Sequence, residues 1–199
     1  MIAAIVPAAG QSLRMGRPKL ILPVGGVPLI ARVITALKGG GAGRVIVIVG
    51  PADMPGALAL IEAAEGQGAE VLGSPTPTAD MRASIELGLE YLAQGPEPDA
   101  VLLTPGDSPG LDAAAVARLI RRAADHPGRI VVPRHGGRRG HPVLLPWSLA
   151  WEIPHLPPGV GVNALLAAHP EAVDALDADD PGILADLDTP EDYRLWIEG

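Results

Sequence analysis

A doubly wound α/β fold, with a sheet mostly parallel but mixed, is what this sequence predicts, and three observations carry that reading. Apolar β-branched runs alternate with helical patterns from Ile2 to Val132; this is the spacing of parallel crossovers, whose right-handedness makes a doubly wound sheet the natural product. Apolar residues make up 48% of the chain while aromatics are 3% and Phe is absent, so the core is built from Ala, Val, Leu and Ile, a mixture that suits a helix-covered parallel sheet. Cysteine is also absent, which excludes a disulfide framework, thiolate metal sites and a cysteine nucleophile together. With 199 residues and no long Ser/Gly linker, one domain over 1–199 is expected.

The elements follow in order. Ile2 to Val6 is a strand, a helix runs from about Pro28 to Lys38, and Arg44 to Val49 is the next strand. A helix through Leu58 to Ala64, a strand Glu70 to Leu72, a helix from about Met81 to Leu92 and a strand Ala100 to Leu103 continue the alternation. A helix from about Asp112 to Ala124 and a strand Arg129 to Val132 complete it. Beyond Pro133 the pattern changes: Arg134 to Gly140 is a basic, glycine-rich turn, and the strand-like Pro142 to Leu145 after it reads as the second arm of an antiparallel hairpin. A Pro-rich stretch, Pro146 to Pro158, leads to a short helix near Val162 to Ala168. Strand-like Ile183 to Leu187 then precedes a helix opened by Thr189-Pro190-Glu191.

Charge is distributed unevenly. The net charge is -8, yet the first fifty residues hold six cations (Arg14, Arg17, Lys19, Arg32, Lys38, Arg44) and no acid. Acidic balance argues against general nucleic-acid binding, which draws on clustered Lys and Arg. No apolar run approaches membrane-spanning length and no charged leader precedes the opening apolar residues, so a cytoplasmic protein without membrane association is expected. Local positive potential on an acidic body favours a small anion. Three of the cations lie in Gly10-Gln11-Ser12-Leu13-Arg14-Met15-Gly16-Arg17-Pro18-Lys19, directly after the first strand. Such a turn offers backbone N–H groups and fixed positive charge together, as a polyphosphate requires. It is not a Walker A loop, since no Gly-Lys-Ser/Thr occurs, and Gly39 to Gly43 ends a helix rather than opening one, the reverse of a dinucleotide fingerprint.

The segment Pro7 to Leu20 resembles the signature A-A-G-x-S-x-R-M-G-x-x-K of the MobA-like nucleotidyltransferases, especially the molybdenum cofactor cytidylyltransferases (MocA). The resemblance continues, in the family's order, through Leu22 to Leu29, Pro105-Gly106-Asp107-Ser108-Pro109, Gly140-His141-Pro142-Val143-Leu144-Leu145 and Asp186-Leu187-Asp188-Thr189-Pro190-Glu191-Asp192. It implies a Rossmann-like nucleotidyltransferase fold with a nucleotide-binding half over about 1–110 and an acceptor-binding half over about 111–199. It also implies Mg-dependent transfer of CMP from CTP to a molybdopterin-type phosphate acceptor, with a recipient molybdoenzyme as partner. Alternatives are a relative using GTP or a sugar or alcohol phosphate, and a non-catalytic chaperone for the molybdenum cofactor.

The resemblance assigns residues as follows. Arg14 and Lys19 stabilise the leaving pyrophosphate, a role for which a planar fork and a compact point charge are suited. Asp107 is the catalytic metal ligand, a carboxylate set after a strand end as magnesium requires; it competes with a turn-capping role. Asp186 is the second metal or ribose position. Asp186 and Asp188, either side of Leu187, would share one face of a strand, and Asp188 is placed with the acceptor or as a helix cap. Ala8, Ala9, Gly10, Ser12, Gly16 and Ser84 border the nucleotide, with Ala-Ala-Gly going with cytosine and Ala-Gly-Gly with guanine. His141 and Arg138 face the acceptor. Two departures stand out: Arg82 and Ala83 replace a Ser-rich helix entry, and Pro158-Gly159-Val160-Gly161-Val162-Asn163 stands where these enzymes usually carry Gly-Asp-x-Gly-Ala-Arg.

Overall fold

The computed structural model describes residues 1–76 and 80–198. Its strands are β1 (Ile2–Ala8), β2 (Pro23–Val24), β3 (Val27–Pro28), β4 (Arg44–Val49), β5 (Glu70–Gly73), β6 (Ala100–Leu103), β7 (Ile130–His135), β8 (Arg138–Arg139), β9 (Val143–Pro146) and β10 (Val173–Asp177). Its helices are α1 (Leu29–Gly39), α2 (Ala57–Glu65), α3 (Met81–Leu92), α4 (Ala113–Asp125), α5 (Trp147–Ala150), α6 (Asn163–Ala168) and α7 (Pro190–Glu198). None is long and apolar enough to cross a membrane.

Eight strands form one sheet in the order β10-β7-β9-β6-β1-β4-β5, with β8 attached to β7. The pairs β1·β4, β1·β6, β4·β5 and β7·β10 are parallel, while β9 runs antiparallel to both β6 and β7. The mixed sheet predicted from the sequence is therefore present. The hairpin differs in detail: the short turn at Gly136 and Gly137 returns first as β8, and β9 then slots between β6 and β7. Two positive-φ glycines make that turn possible.

Each face of the sheet carries a helical layer. On one face Ala4, Val6 and Val47 meet α1, α2 and α4, and on the other Ala3, Ile5 and Ile48 meet α3 and α6. Ala3 to Val6 are wholly buried, which puts β1 at the centre of the sheet. Small residues set the approach of α3: a Cβ at Gly88 would lie 2.8 to 3.0 Å from three side-chain carbons of Ile5. Overpacking of this kind costs about 1 to 3 kcal/mol, against a helix-propensity gain of about 1 kcal/mol for Ala over Gly. Gly88→Ala is thus expected to lose about 1 kcal/mol net, a fall in Tm of about 2 to 4 °C for a chain of this size, which calorimetry would register.

One element was misplaced by the sequence reading. Ile183 to Leu187 is not a strand; Pro181–Leu184 is a 3-10 turn and the residues after it are irregular. The last strand is instead β10, written Val-Asp-Ala-Leu-Asp. Asp and Ala are poor strand formers, but β10 is an edge strand, where charged side chains are favoured. Its Asp174 and Asp177 pair with Arg122 at 2.7 Å and Arg134 at 2.9 Å.

Candidate active site

Strands β1 and β6 lie side by side and parallel, so the loops that follow them leave on the same side. The winding reverses between them, since β4 and β5 extend the sheet beyond β1 one way and β6 begins the other. Ligands of open α/β sheets bind at such a reversal. Here it opens into a cleft of about 490 Å³, walled by the loop after β1, the loop after β6 and the start of α3.

The loop after β1 holds its own shape. Met15 and Gly16 donate their N–H groups to the Ser12 carbonyl at 3.1 Å, Ser12 and Gly16 take positive φ, and the Lys19 N–H donates to Ser12 Oγ at 3.3 Å. Met15 is buried beneath the turn. This anchoring turns Arg14 and Lys19 towards the cleft. Lys19 Nζ donates to Asp107 Oδ2 and, at 2.8 Å, to Asp188 Oδ1, while Arg14 Nη1 lies 2.9 Å from Asp188 Oδ2. The Lys19 and Asp107 side chains are only 16% and 15% exposed, whereas Arg14 is 72% exposed. Burial alone would pull the Lys19 ammonium down; Asp107 and Asp188 more than reverse this and leave it above its ordinary value. It stays charged at neutral pH.

The structure brings together most of the residues singled out from the sequence. Ala8, Ala9, Gly10, Ser12, Arg14, Lys19, Ser84, Asp107 and Asp188 all line the cleft. Gly16 instead shapes the turn and borders a second cavity of about 360 Å³ behind the loop. Arg17 leaves the site altogether, its guanidinium 5.4 Å from the centre of the Tyr193 ring. Lys38 donates to the carbonyls of Gln67 and Gly68, and Arg44 pairs with Glu70 at 2.7 Å. The acid-free opening of the chain thus places two of its six cations in the cleft.

The carboxylates converge without the strand expected at Ile183 to Leu187. The Leu187 N–H donates to the Asp107 carbonyl at 3.1 Å, which lays residues 186–188 along the loop after β6. Glycines permit this path: a Cβ at Gly110 or Gly140 would come within 2.5 Å of the Gly182 or 2.4 Å of the Ile183 carbonyl oxygen. Asp186 does not itself line the cleft, and it is pushed up to about 6 by desolvation first and then by the negative charge of Asp107 and Asp188, with Lys19 opposing. Among the described residues no three His, Asp or Glu side chains form a ready-made metal array.

Asp188 is not a helix cap. Asp192 accepts from the N–H of Thr189 at 2.8 Å and of Asp188 at 3.2 Å, and Thr189 Oγ1 accepts from the Asp192 N–H at 3.2 Å, a reciprocal cap that begins α7. With the cap supplied by Thr189 and Asp192, the Asp188 carboxylate is left to bridge Arg14 and Lys19. It therefore lies in the cleft beside both cations. The Thr-x-x-Asp spacing was the available signal for this.

On the expected acceptor side, His141 is half-buried, and its backbone N–H donates to the Ile183 carbonyl at 3.0 Å. Burial, partly opposed by the Asp107 charge and a hydrogen bond with the Leu103 backbone, holds its imidazole below the ordinary range. The ring is therefore neutral, with Nδ1 unpartnered. Arg138 is exposed on β8, paired through its backbone with His135, and borders neither cavity.

Residues 4–173 match the model of the MobA-like NTP transferase domain. The chain belongs to that family. This MobA-like chain is 32% identical over 201 residues to the molybdenum cofactor guanylyltransferase of Rhodobacter capsulatus, covering 96% of this chain and 92% of that protein. It is 30% identical over 192 residues to the bifunctional enzyme IspD/IspF of Rhodospirillum rubrum, covering 92% of this chain but 48% of that protein, so it spans about half the length of that relative. In structure it resembles Rv0371c from Mycobacterium tuberculosis H37Rv, with TM-score 0.84 and 26% identity over 100% of this chain and 98% of that one. A second structure of Rv0371c, a complex with manganese, superposes with TM-score 0.80 at 26% identity, again over 100% and 98%. The MobA-like domain is a nucleotidyltransferase domain, and the cleft of this chain brings Arg14, Lys19, Asp107 and Asp188 together.

Proposed function

We propose that this MobA-like chain transfers CMP from CTP to the phosphate of a molybdopterin-type cofactor, with a divalent ion, and releases pyrophosphate. The observation that carries the reading is the Lys19 ammonium held between Asp107 and Asp188, beside the exposed Arg14, at the mouth of β1 and β6. A cationic pair and a half-buried carboxylate across one cleft are what nucleotidyl transfer needs. The acceptor phosphate oxygen attacks the α-phosphorus, the bond from that phosphorus to the bridging oxygen breaks, and charge accumulates on the departing β and γ groups. Arg14 and Lys19 take up that charge. Ala8 and Ala9 leave room for a base against the strand end, and their Ala-Ala-Gly form favours cytosine.

Asp107 Oδ1 is buried and has no hydrogen-bond partner, an orphaned oxygen that suits a hard cation. Asp107 and Asp186 would hold magnesium or manganese, which supplies Lewis-acid polarisation of the phosphates when bound. The structure of Rv0371c in complex with manganese is in keeping with a divalent ion in a domain of this fold. A metal ligand must be deprotonated, and the surroundings of Asp186 push its carboxyl up to about 6. Manganese affinity is therefore expected to fall as pH drops through about 6, approaching tenfold per pH unit below it, and Asp186→Ala should flatten that dependence. Calorimetric titration between pH 5 and 8 checks both statements.

The relatives include a guanylyltransferase, so the base is the assignment most in need of testing. Pyrophosphate release measured with each of the four nucleoside triphosphates, with and without molybdopterin, is expected to peak for CTP and to require the acceptor. A GTP maximum would transfer the reading to guanylyl chemistry, and release with simple sugar phosphates alone would overturn the acceptor. Binding of molybdopterin without any pyrophosphate release would indicate a carrier instead.

A further inference from the structure

We infer that Arg82 is a positioning residue that fixes the loop at residues 154–160, on the acceptor side, to the helix that walls the nucleotide cleft. Helix α3 presents Met81 and Ser84 to the cleft, and Arg82 between them turns the other way. Its guanidinium is fully committed. Nε donates to Glu86 at 2.6 Å, Nη1 to the carbonyls of Pro157 at 2.7 Å and Val160 at 3.2 Å, and Nη2 to those of Leu156 at 2.8 Å and Pro154 at 3.3 Å. Its side chain is only 10% exposed. Five N–H groups thus meet five acceptors, the complete donor capacity of an arginine.

The loop needs such a fastening. Pro154, Pro157 and Pro158 have no N–H to donate, and no Asp, Glu, Lys or Arg occurs between Ile153 and Asn163. Held this way, the loop offers an acceptor shape rather than charge. The two departures from the family pattern are therefore one structural fact: a loop lacking the usual acid and arginine is gripped by an arginine from the helix entry, where serine is usual. Because Arg82 adjoins Met81 and Ser84, the nucleotide wall and the acceptor loop are mechanically one piece. The specificity consequence rests on the function proposed above; the clamp itself does not.

Arg82→Ser and Arg82→Lys in the full chain provide the test, read by backbone amide hydrogen exchange and by steady-state kinetics with MgCTP and molybdopterin. Four carbonyls lose a charged donor, so exchange at Leu156 and Val160, whose N–H groups are bonded within the loop, is expected to accelerate at least about tenfold while Leu89 and Leu92 stay protected. The KM for molybdopterin should rise by about tenfold or more with the KM for CTP within about twofold. Lysine, a single point of charge, should not rescue either readout. Wild-type exchange in Arg82→Ser, loosening that spreads through α3, full rescue by lysine, or an unchanged molybdopterin KM despite a loosened loop would each overturn the proposal. If the wild-type protein does not turn over CTP with molybdopterin, the proposed function fails while the exchange result alone decides the clamp.

Discussion

Lys19→Ala is expected to slow turnover at least a hundredfold while making the resting protein bind manganese more tightly. The two effects have one cause. In the resting state the Lys19 ammonium is the counter-ion of Asp107 and Asp188, so removing it exposes carboxylates that a divalent ion then neutralises without competition. In the proposed transition state the same ammonium would face the leaving pyrophosphate, and deleting one charge-assisted donor from an electrostatic site costs about 3 to 4 kcal/mol, at about 1.4 kcal/mol per decade of rate. Steady-state pyrophosphate release and manganese titration separate the effects. A variant with wild-type turnover would remove Lys19 from the mechanism, and one with weaker metal binding would refute its place between the carboxylates.

Asp107→Asn is the second large effect. The amide keeps the size of the side chain but cannot hold a divalent ion with comparable strength, so kcat/KM should fall about a hundredfold or more, and added magnesium should no longer stimulate the reaction. The fold should survive. The Asp107 carbonyl, which accepts the Leu187 N–H, belongs to the backbone and is untouched, and Lys19 retains Asp188 as a partner. A near-normal melting curve combined with lost metal stimulation is the expected outcome. Unchanged magnesium stimulation would move the metal elsewhere.

What could be read in the sequence, and what could not, follows from how local each signal is. The alternation from β1 to β7 was legible because central strands buried on both faces are continuous apolar runs, as Ala3 to Val6 and Val45 to Val49 are. Lys19, Arg14 and Asp107 were legible because each sits in a short motif directly after a strand. Strand β10 was not, since an edge strand can be Asp-rich and its order comes from pairing with β7 and from Arg122 and Arg134, contacts made across long separations. Ile183 drew the eye as strand because it is apolar, yet it is buried by packing against Gly140 in a 3-10 turn. Arg82 reads in the sequence only as a departure from a Ser-rich helix entry. Its meaning lies in carbonyls more than seventy residues away, and carbonyls leave no trace in side-chain pattern.

The bond between Lys19 and Asp188 joins positions 169 residues apart. Closing a loop that long cannot precede collapse of the sheet, because nothing local rewards the ordering it requires. A ribosome-tethered chain halted before residue 186 should therefore display native strands and a collapsed core, yet leave Lys19 with Asp107 as its sole counter-ion. Catalytic competence would then be a late acquisition, gained only when Gly182 and Ile183 pack against Gly110 and Gly140.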